Sequence, residues 1–244
     1  MESHLSRNRA LKSQKRQMTY QENTINFEQV KPIKQRPIDL VPRTKNQERL
    51  VLALQSFDQH IVVTTGPAGS GKTYLTMLAA VKAFREGDVE RIVLTRPAVE
   101  VAEEKHGFLP GNLVAKMEPW TRPMFDCLSK YISPKELKEY VEICPLAYMR
   151  GRTFEHSWII GDEMQNSTPA QMKMLLTRIG EGSKIVITGD MQQHDRGFEE
   201  NGLSDLTRRV FSVSDYVHHV EFSEEDVVRH PAIREILSMY DINR

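Results

Sequence analysis

Cysteine is nearly absent from this sequence: Cys127 and Cys144 are the only two in 244 residues. That excludes a disulfide framework and a thiolate metal site, and reduced thiols of a cytoplasm are the simplest expectation. No apolar run approaches the roughly 20 residues of a membrane helix, and the polar N-terminus has no signal-peptide core. A soluble, cytoplasmic protein without a membrane partner is therefore expected. Net charge is missing too, because 33 basic residues balance 33 acidic ones. Bulk charge does not advertise a nucleic-acid binder, so local charge has to be inspected instead. Aromatic residues make up only 7% and offer few stacking platforms. What remains, 39% hydrophobic and 27% charged residues, is the composition of one large globular domain or of a domain with a tail.

The most informative stretch is Gly66-Pro67-Ala68-Gly69-Ser70-Gly71-Lys72-Thr73, which fits the phosphate loop G-x-x-x-x-G-K-[ST] at every fixed position. The β-branched run Ile61-Val62-Val63 before it reads as a buried strand. Tyr74 to Phe84 after it carries Leu75, Leu78 and Ala83 at helical spacing. Strand, glycine loop and helix are the context this motif needs. The glycines let the backbone approach a polyphosphate, and the loop amides and the helix N-terminus point at the anion. Lys72 reaches the β- and γ-phosphates and the Thr73 hydroxyl binds Mg²⁺. The expected nucleotide-binding set is thus Gly66, Pro67, Ala68, Gly69, Ser70, Gly71, Lys72, Thr73 and Tyr74.

Residues 1–43 form a distinct tail, basic at Arg7, Arg9, Lys12, Lys15 and Arg16 and broken by Pro32, Pro37 and Pro42. It reads either as a nucleic-acid or subunit-docking arm or as a solvated tail, the second being preferred for its first twenty residues, with Phe27 to Leu40 an extended strap along the domain or a neighbour. Thr44 to Phe57 reads as the first core helix, with Thr44 as N-cap and Gln47 at the capping-box position. Two readings of Gln47 stand: box partner, or reader of an adenine edge. Arg91 to Thr95 reads as a second buried strand with Arg96 at its carboxyl end, where open α/β sheets bind ligands. Glu100 to Gly111 is either a solvated loop or a nucleic-acid or subunit contact. Leu113 to Tyr140 reads as two helices broken near Pro119, Pro123 and Pro134. Val141 to Ala147 reads as a short strand before a basic turn, where Arg150 and Arg152 contact phosphates or pair with acids.

Ser157-Trp158-Ile159-Ile160-Gly161-Asp162-Glu163 is the second strong motif, a buried strand ending in two carboxylates. Asp162 is expected to hold Mg²⁺, mostly through water, and Glu163 to polarise the attacking water as general base. Lys184 to Gly189 reads as another strand whose tip, Asp190 and Gln193, either senses the γ-phosphate or simply turns the chain. Thr168 to Ile179, Gly202 to Val210 and Ala232 to Tyr240 read as helices, and Tyr216 to Phe222 as the last strand. Arg229 follows the acids Glu224, Glu225 and Asp226; it is an arginine finger on the transferring phosphoryl group, or it pairs with those acids.

In order and spacing, Gly66–Thr73, Arg91–Gly111, Tyr148–Phe154, Ile159–Asn166, Ile187–Asp195 and Asp226–Pro231 resemble the PhoH-like family of P-loop ATPases. The domain of that family is similar to the first RecA-like domain of superfamily 1 helicases. The resemblance covers Thr44 to the C-terminus. It implies a single α/β RecA-like domain over residues 44–244, a parallel sheet flanked by helices, with the extended tail in front. It also implies an ATP-binding, Mg²⁺-dependent ATPase acting on RNA or single-stranded DNA. The short length and the tail look like a phage version, working in a bacterial host cytoplasm. With one RecA-like domain, either a finger comes from a neighbouring subunit or the lone domain is a poor catalyst; a closed homo-oligomeric ring, a hexamer first, solves this and is expected. Arg229 is the first candidate, with Arg152 and Arg208 behind it. The alternative function is a nucleotide-dependent switch or scaffold for protein partners. A small-molecule kinase fits less well, because the pair Asp162-Glu163 suits the activation of water.

Overall fold

The computed structural model describes residues 37–56, 58–97, 122–193, 201–210 and 214–228, with positions 232 and 239. The expected tail before residue 37, residues 98–121, Arg229 and most of the expected closing helix lie outside the described residues.

Helix α1 (Lys45–Gln55) starts at Thr44, whose side chain accepts a hydrogen bond from the Gln47 amide, and buries Leu50, Val51, Ala53 and Leu54. Strand β1 (Ile61–Thr65) runs into the glycine loop and then helix α2 (Lys72–Glu86), which ends at Gly87 in the left-handed region. Strand β2 (Arg91–Thr95) follows. Residues 122–128 are helical, and α3 (Pro134–Tyr140) opens with a Ser133–Glu136 capping box and proline in its first turn. The prolines expected to break this region behave differently where they are described. Pro123 lies inside the helical stretch and Pro134 begins a helix, as a residue without an amide donor can at a helix start. The strand expected at Val141 to Ala147 is cut to β3 (Val141–Ile143), because Pro145 leads into a short helical turn at Leu146–Met149. Strand β4 (Ser157–Gly161), helix α4 (Pro169–Leu176), strand β5 (Lys184–Gly189), helix α5 (Gly202–Val210) and strand β6 (Val217–Glu221) complete the described elements.

The six strands form one sheet in the order β3-β2-β4-β5-β1-β6, and every pairing is parallel. Sheets of this kind are covered on both faces, which is why the central strands are apolar throughout rather than alternating. Val63, Val93, Ile159, Ile185 and Ile187 are fully buried and pack with Met172 and Leu175 of α4 and Leu203 of α5. The intervening Val62, Ile92, Leu94, Ile160 and Val186 are equally buried and point to the opposite face, where α2 crosses β2, β4 and β5. The fold is α/β, a parallel sheet flanked by helices, as expected. Parallel strands share one carboxyl edge, so the ends of β1, β2, β4 and β5 meet there. Among the described residues no helix is long and apolar enough to cross a membrane.

At the opposite edge, Lys184 opens β5 and is 8% exposed. Its ammonium donates to the carbonyls of Ala53 (3.1 Å), Leu54 (2.8 Å) and Ser56 (2.6 Å), closing the C-terminus of α1. Burial pulls its pKa down to about 8, yet three carbonyl acceptors and the negative helix end favour the ammonium at neutral pH. Lys184→Met, which leaves those carbonyls without their donor, should cost about 3 kcal/mol in urea unfolding. An unchanged midpoint would show that the cap contributes nothing.

Candidate active site

The loop between β1 and α2 holds its shape through backbone conformations that glycine adopts freely: φ is 132° at Gly66, 84° at Gly69 and 89° at Gly71. A side chain at Gly66 would also meet the Cβ of Phe222 at 2.7 Å. Inside the loop, Lys72 donates to the carbonyls of Gly66 (2.7 Å) and Pro67 (2.8 Å) and to the Ser70 hydroxyl (3.2 Å). Only 7% of Lys72 is exposed. Burial lowers its pKa, against the opposing pull of Asp190, Glu163 and Asp162.

Two flanks brace the loop from outside. On the α1 side, the Gln47 amide donates to the Ser70 carbonyl (2.9 Å) and accepts from the Arg43 backbone N–H (2.8 Å). Gln47 is buried, and its side chain is bound to the backbone of Arg43 and Ser70 instead of to the N-cap amide that a capping box uses. On the β6 side, the Val228 amide donates to Gly69 O (3.1 Å) and the Phe222 amide to Thr65 O (2.8 Å). Asp226 joins the flanks by accepting from Asn46 (2.8 Å) and from the Ser223 amide (2.9 Å). Burial opposes the charge on Asp226, but donation from Asn46, Thr44 and Ser223 outweighs it and holds the carboxyl below the usual carboxylate range.

Facing the loop across β5 are the carboxylates that follow β4. The Thr73 hydroxyl donates to Asp162 Oδ1 (2.9 Å), and the Thr188 hydroxyl donates to the same oxygen. Hydroxyl and carboxylate are hard oxygen donors, the set that Mg²⁺ takes while keeping most of its waters. Glu163 stands in the left-handed region (φ 53°, ψ 39°), which non-glycine residues adopt at a cost of about 1 kcal/mol or more. Arg96, at the end of β2, lies 3.9 Å from one Glu163 oxygen, and the other accepts from Gln165 at 2.5 Å. Asp190 and Gln193 follow β5; Asp190 is buried and Gln193 exposed at the cleft.

A cleft of about 280 Å³ is lined by Ala68, Gly69, Gly71, Lys72, Thr73 and Tyr74 on one side and by Asp162, Glu163, Thr188, Gly189, Asp190 and Gln193 on the other. Tyr74 is half exposed at its rim, and a hydrogen bond with Tyr131 pushes its pKa up to about 12. The other expected cations are placed elsewhere or not described. Arg152 forms a bidentate pair with Glu142 (2.5 and 3.0 Å) and lies over the Phe154 ring, which decides between its two readings in favour of pairing with an acid. Arg208 is exposed on α5, and Arg229 lies outside the described residues.

Three residues at or beside this site escaped the sequence reading. Thr188 carried a usable signal, a lone hydroxyl at the carboxyl end of an apolar strand. Asp226 was considered only as one of the acids that Arg229 pairs with, not as a brace of the loop. Gln165 lies within the stretch Ile159–Asn166 but nothing there singled it out, because its partners are brought to it only by the fold.

The sequence model of the PhoH-like protein family matches residues 39–241. A PhoH-like protein of Bacillus subtilis is 42% identical over 236 residues, covering 94% of this chain and 72% of that one. A PhoH-like protein of Mycobacterium tuberculosis is 46% identical over 82% of this chain and 57% of its own. Protein PhoH of Escherichia coli K12 is 40% identical over 82% and 58%. The chain thus spans between just over half and three quarters of these relatives. Among solved structures, the Pif1 helicase of Candida albicans aligns with 82% of this chain and 43% of its own, at 15% identity and a TM-score of 0.40.

Asp226→Ala should release the brace between the two flanks. Hydrogen exchange at the amides of Gly69 to Lys72 is expected to quicken about tenfold, roughly 1.4 kcal/mol, while β5 stays protected. Equal exchange in both proteins would refute the brace.

Proposed function

The chain belongs to the PhoH-like protein family, and from that membership and the geometry of its cleft we propose that it is a Mg²⁺-dependent ATPase. The observation that carries this reading is the hydrogen bond from Thr73 to Asp162, which sets the phosphate loop against the acidic end of β4 with Lys72 and Glu163 lining the same cleft. A bound Mg²⁺ supplies positive charge to the phosphate oxygens, held by Thr73 and Asp162. Lys72 exchanges its loop carbonyls for β- and γ-phosphate oxygens, and the loop amides orient the polyphosphate. Glu163 accepts the proton of the attacking water. Gln193, exposed at the far wall, contacts the γ-phosphate and differs in position between triphosphate and diphosphate states. Tyr74 offers its ring to the nucleobase at the rim. Gln47 supports the loop from behind through Ser70.

Hydrolysis in this reading is coupled to RNA or single-stranded DNA. What supports it is Arg96, a cation at the carboxyl edge that already touches Glu163, so that a polyanion drawing on Arg96 alters the base. The alternative is a nucleotide-dependent switch with protein partners, favoured by the balance of 33 basic and 33 acidic residues. Assembly into a ring, with Arg229 completing a site, belongs to the same reading.

Steady-state ATPase with and without single-stranded RNA tests the proposal. Lys72→Ala should abolish both nucleotide binding and turnover, and Glu163→Gln should lower kcat by about 10²- to 10³-fold while ATP still binds. RNA stimulation that fades with salt supports the coupled motor, and turnover indifferent to RNA and DNA supports the switch. Mixing Arg229→Ala with Lys72→Ala subunits should restore turnover above either alone; no recovery removes the finger in trans.

A further inference from the structure

Gln165 lies two residues beyond Glu163, in the short helical turn Met164–Asn166, and is 1% exposed. A primary amide has two donor hydrogens and a carbonyl acceptor, and a buried one is stable only when they are matched. Here all are in use. One donor goes to Glu163 Oε2 at 2.5 Å, the other to the Gln193 carbonyl at 3.0 Å, and the amide oxygen accepts from the Asp190 N–H at 3.1 Å. The Asp190 bond requires the oxygen on that side, so the nitrogen necessarily faces Glu163 and Gln193. The room for this side chain comes from Gly189, where a Cβ would stand 2.5 Å from Gln165 Oε1. Glu163, for its part, sits in a strained backbone conformation that persists only where its surroundings hold it. Its two oxygens are held from different directions, one by Gln165 and one by Arg96.

We propose that Gln165 is a positioning residue for hydrolysis: it fixes the orientation of Glu163 and ties it to the loop 190–193, so that engagement of Gln193 by the terminal phosphate is passed to the base. This rests on Glu163 activating water, as proposed above. Gln193 lies 28 residues beyond Gln165 in sequence, and the one amide serves both it and Glu163. A shift of the Gln193 carbonyl strains or breaks its bond to Gln165, and the same side chain then moves against Glu163. The base is thereby in place only when the far wall of the cleft is in place.

The opposing view is that Gln165 merely fills space beneath the loop, and isosteric replacement separates the two. Gln165→Glu keeps the shape and the acceptor for Asp190 but turns both donors into acceptors, placing a carboxylate against Glu163 and the Gln193 carbonyl. A positioning role orders kcat as wild type, then Gln165→Ala, lower by about 10- to 100-fold, then Gln165→Glu lower still, with KM within about threefold throughout. A space-filling role gives the reverse order for the two variants. A double-mutant cycle completes the test: in the Glu163→Gln background, measured by single turnover, Gln165→Ala should have no further effect. Should Gln165→Ala fold poorly, Gly189→Ala reaches the same amide by steric pressure and should likewise lower kcat without raising KM. If wild type hydrolyses ATP and Glu163→Gln does not, but both Gln165 variants match wild type, this proposal is wrong and the site reading stands. If Glu163→Gln retains full turnover, the reading falls and takes the proposal with it.

Discussion

One hydrogen bond, from Thr73 to Asp162, spans the width of β5 and joins the two halves of the cleft. It can form only because β5 is inserted between β1 and β4 in a sheet whose strands all run the same way. Were β4 reversed, its two carboxylates would emerge at the edge where Lys184 closes α1, far from the loop. Thr188 donates to the same Asp162 oxygen from β5 itself, so three neighbouring strand ends converge on one carboxylate. Loop, acids and the Asp190–Gln193 turn thus owe their proximity to strand order rather than to any contact between nearby residues in the sequence.

Much of this was legible beforehand because it is written in local rules. The buried strands show as apolar runs, Thr44 shows as an N-cap, and the glycines of the loop stand where the backbone needs positive φ. The convergence of Lys72, Thr73, Asp162, Glu163 and Gln193 on one cleft follows once those strands are taken as parallel. What could not be read depends on through-space partners. Gln165 looks like any polar residue after a strand, and its importance appears only when residues 190–193 fold over it. Asp226 sits among acids that were read as partners for Arg229, and Asn46 claims it from 180 positions away. Gln47 shows a milder version: its place in the cap was visible, but its side chain reaches past the N-cap to Arg43 and Ser70. Proline misled in another way. Pro123, read as a break between two helices, lies inside a helical stretch, whereas Pro134 stands at the start of a helix, where a break was expected.

The site is held by short polar contacts, and the scaffold beneath it by burial. Lys184 and Lys72 illustrate the contrast at opposite ends of parallel strands. Both are buried ammonium groups with three oxygen acceptors. Lys184 satisfies the end of a helix and has no reason to let go. Lys72 holds oxygens of its own loop, in a cleft open to solvent, with carboxylates opposite.

That difference bears on how selectivity among anions arises. Because the donors of Lys72 are already matched, an incoming phosphate replaces existing bonds and adds none to the count. The gain must then come from exchanging neutral carbonyl dipoles for formal negative charge. Under the ATPase reading proposed above, adenosine or any neutral analogue would find a loop content with itself, and discrimination would grow with each ionised oxygen presented. A loop folded onto its own lysine is in this sense a filter for charge before it is a recogniser of shape.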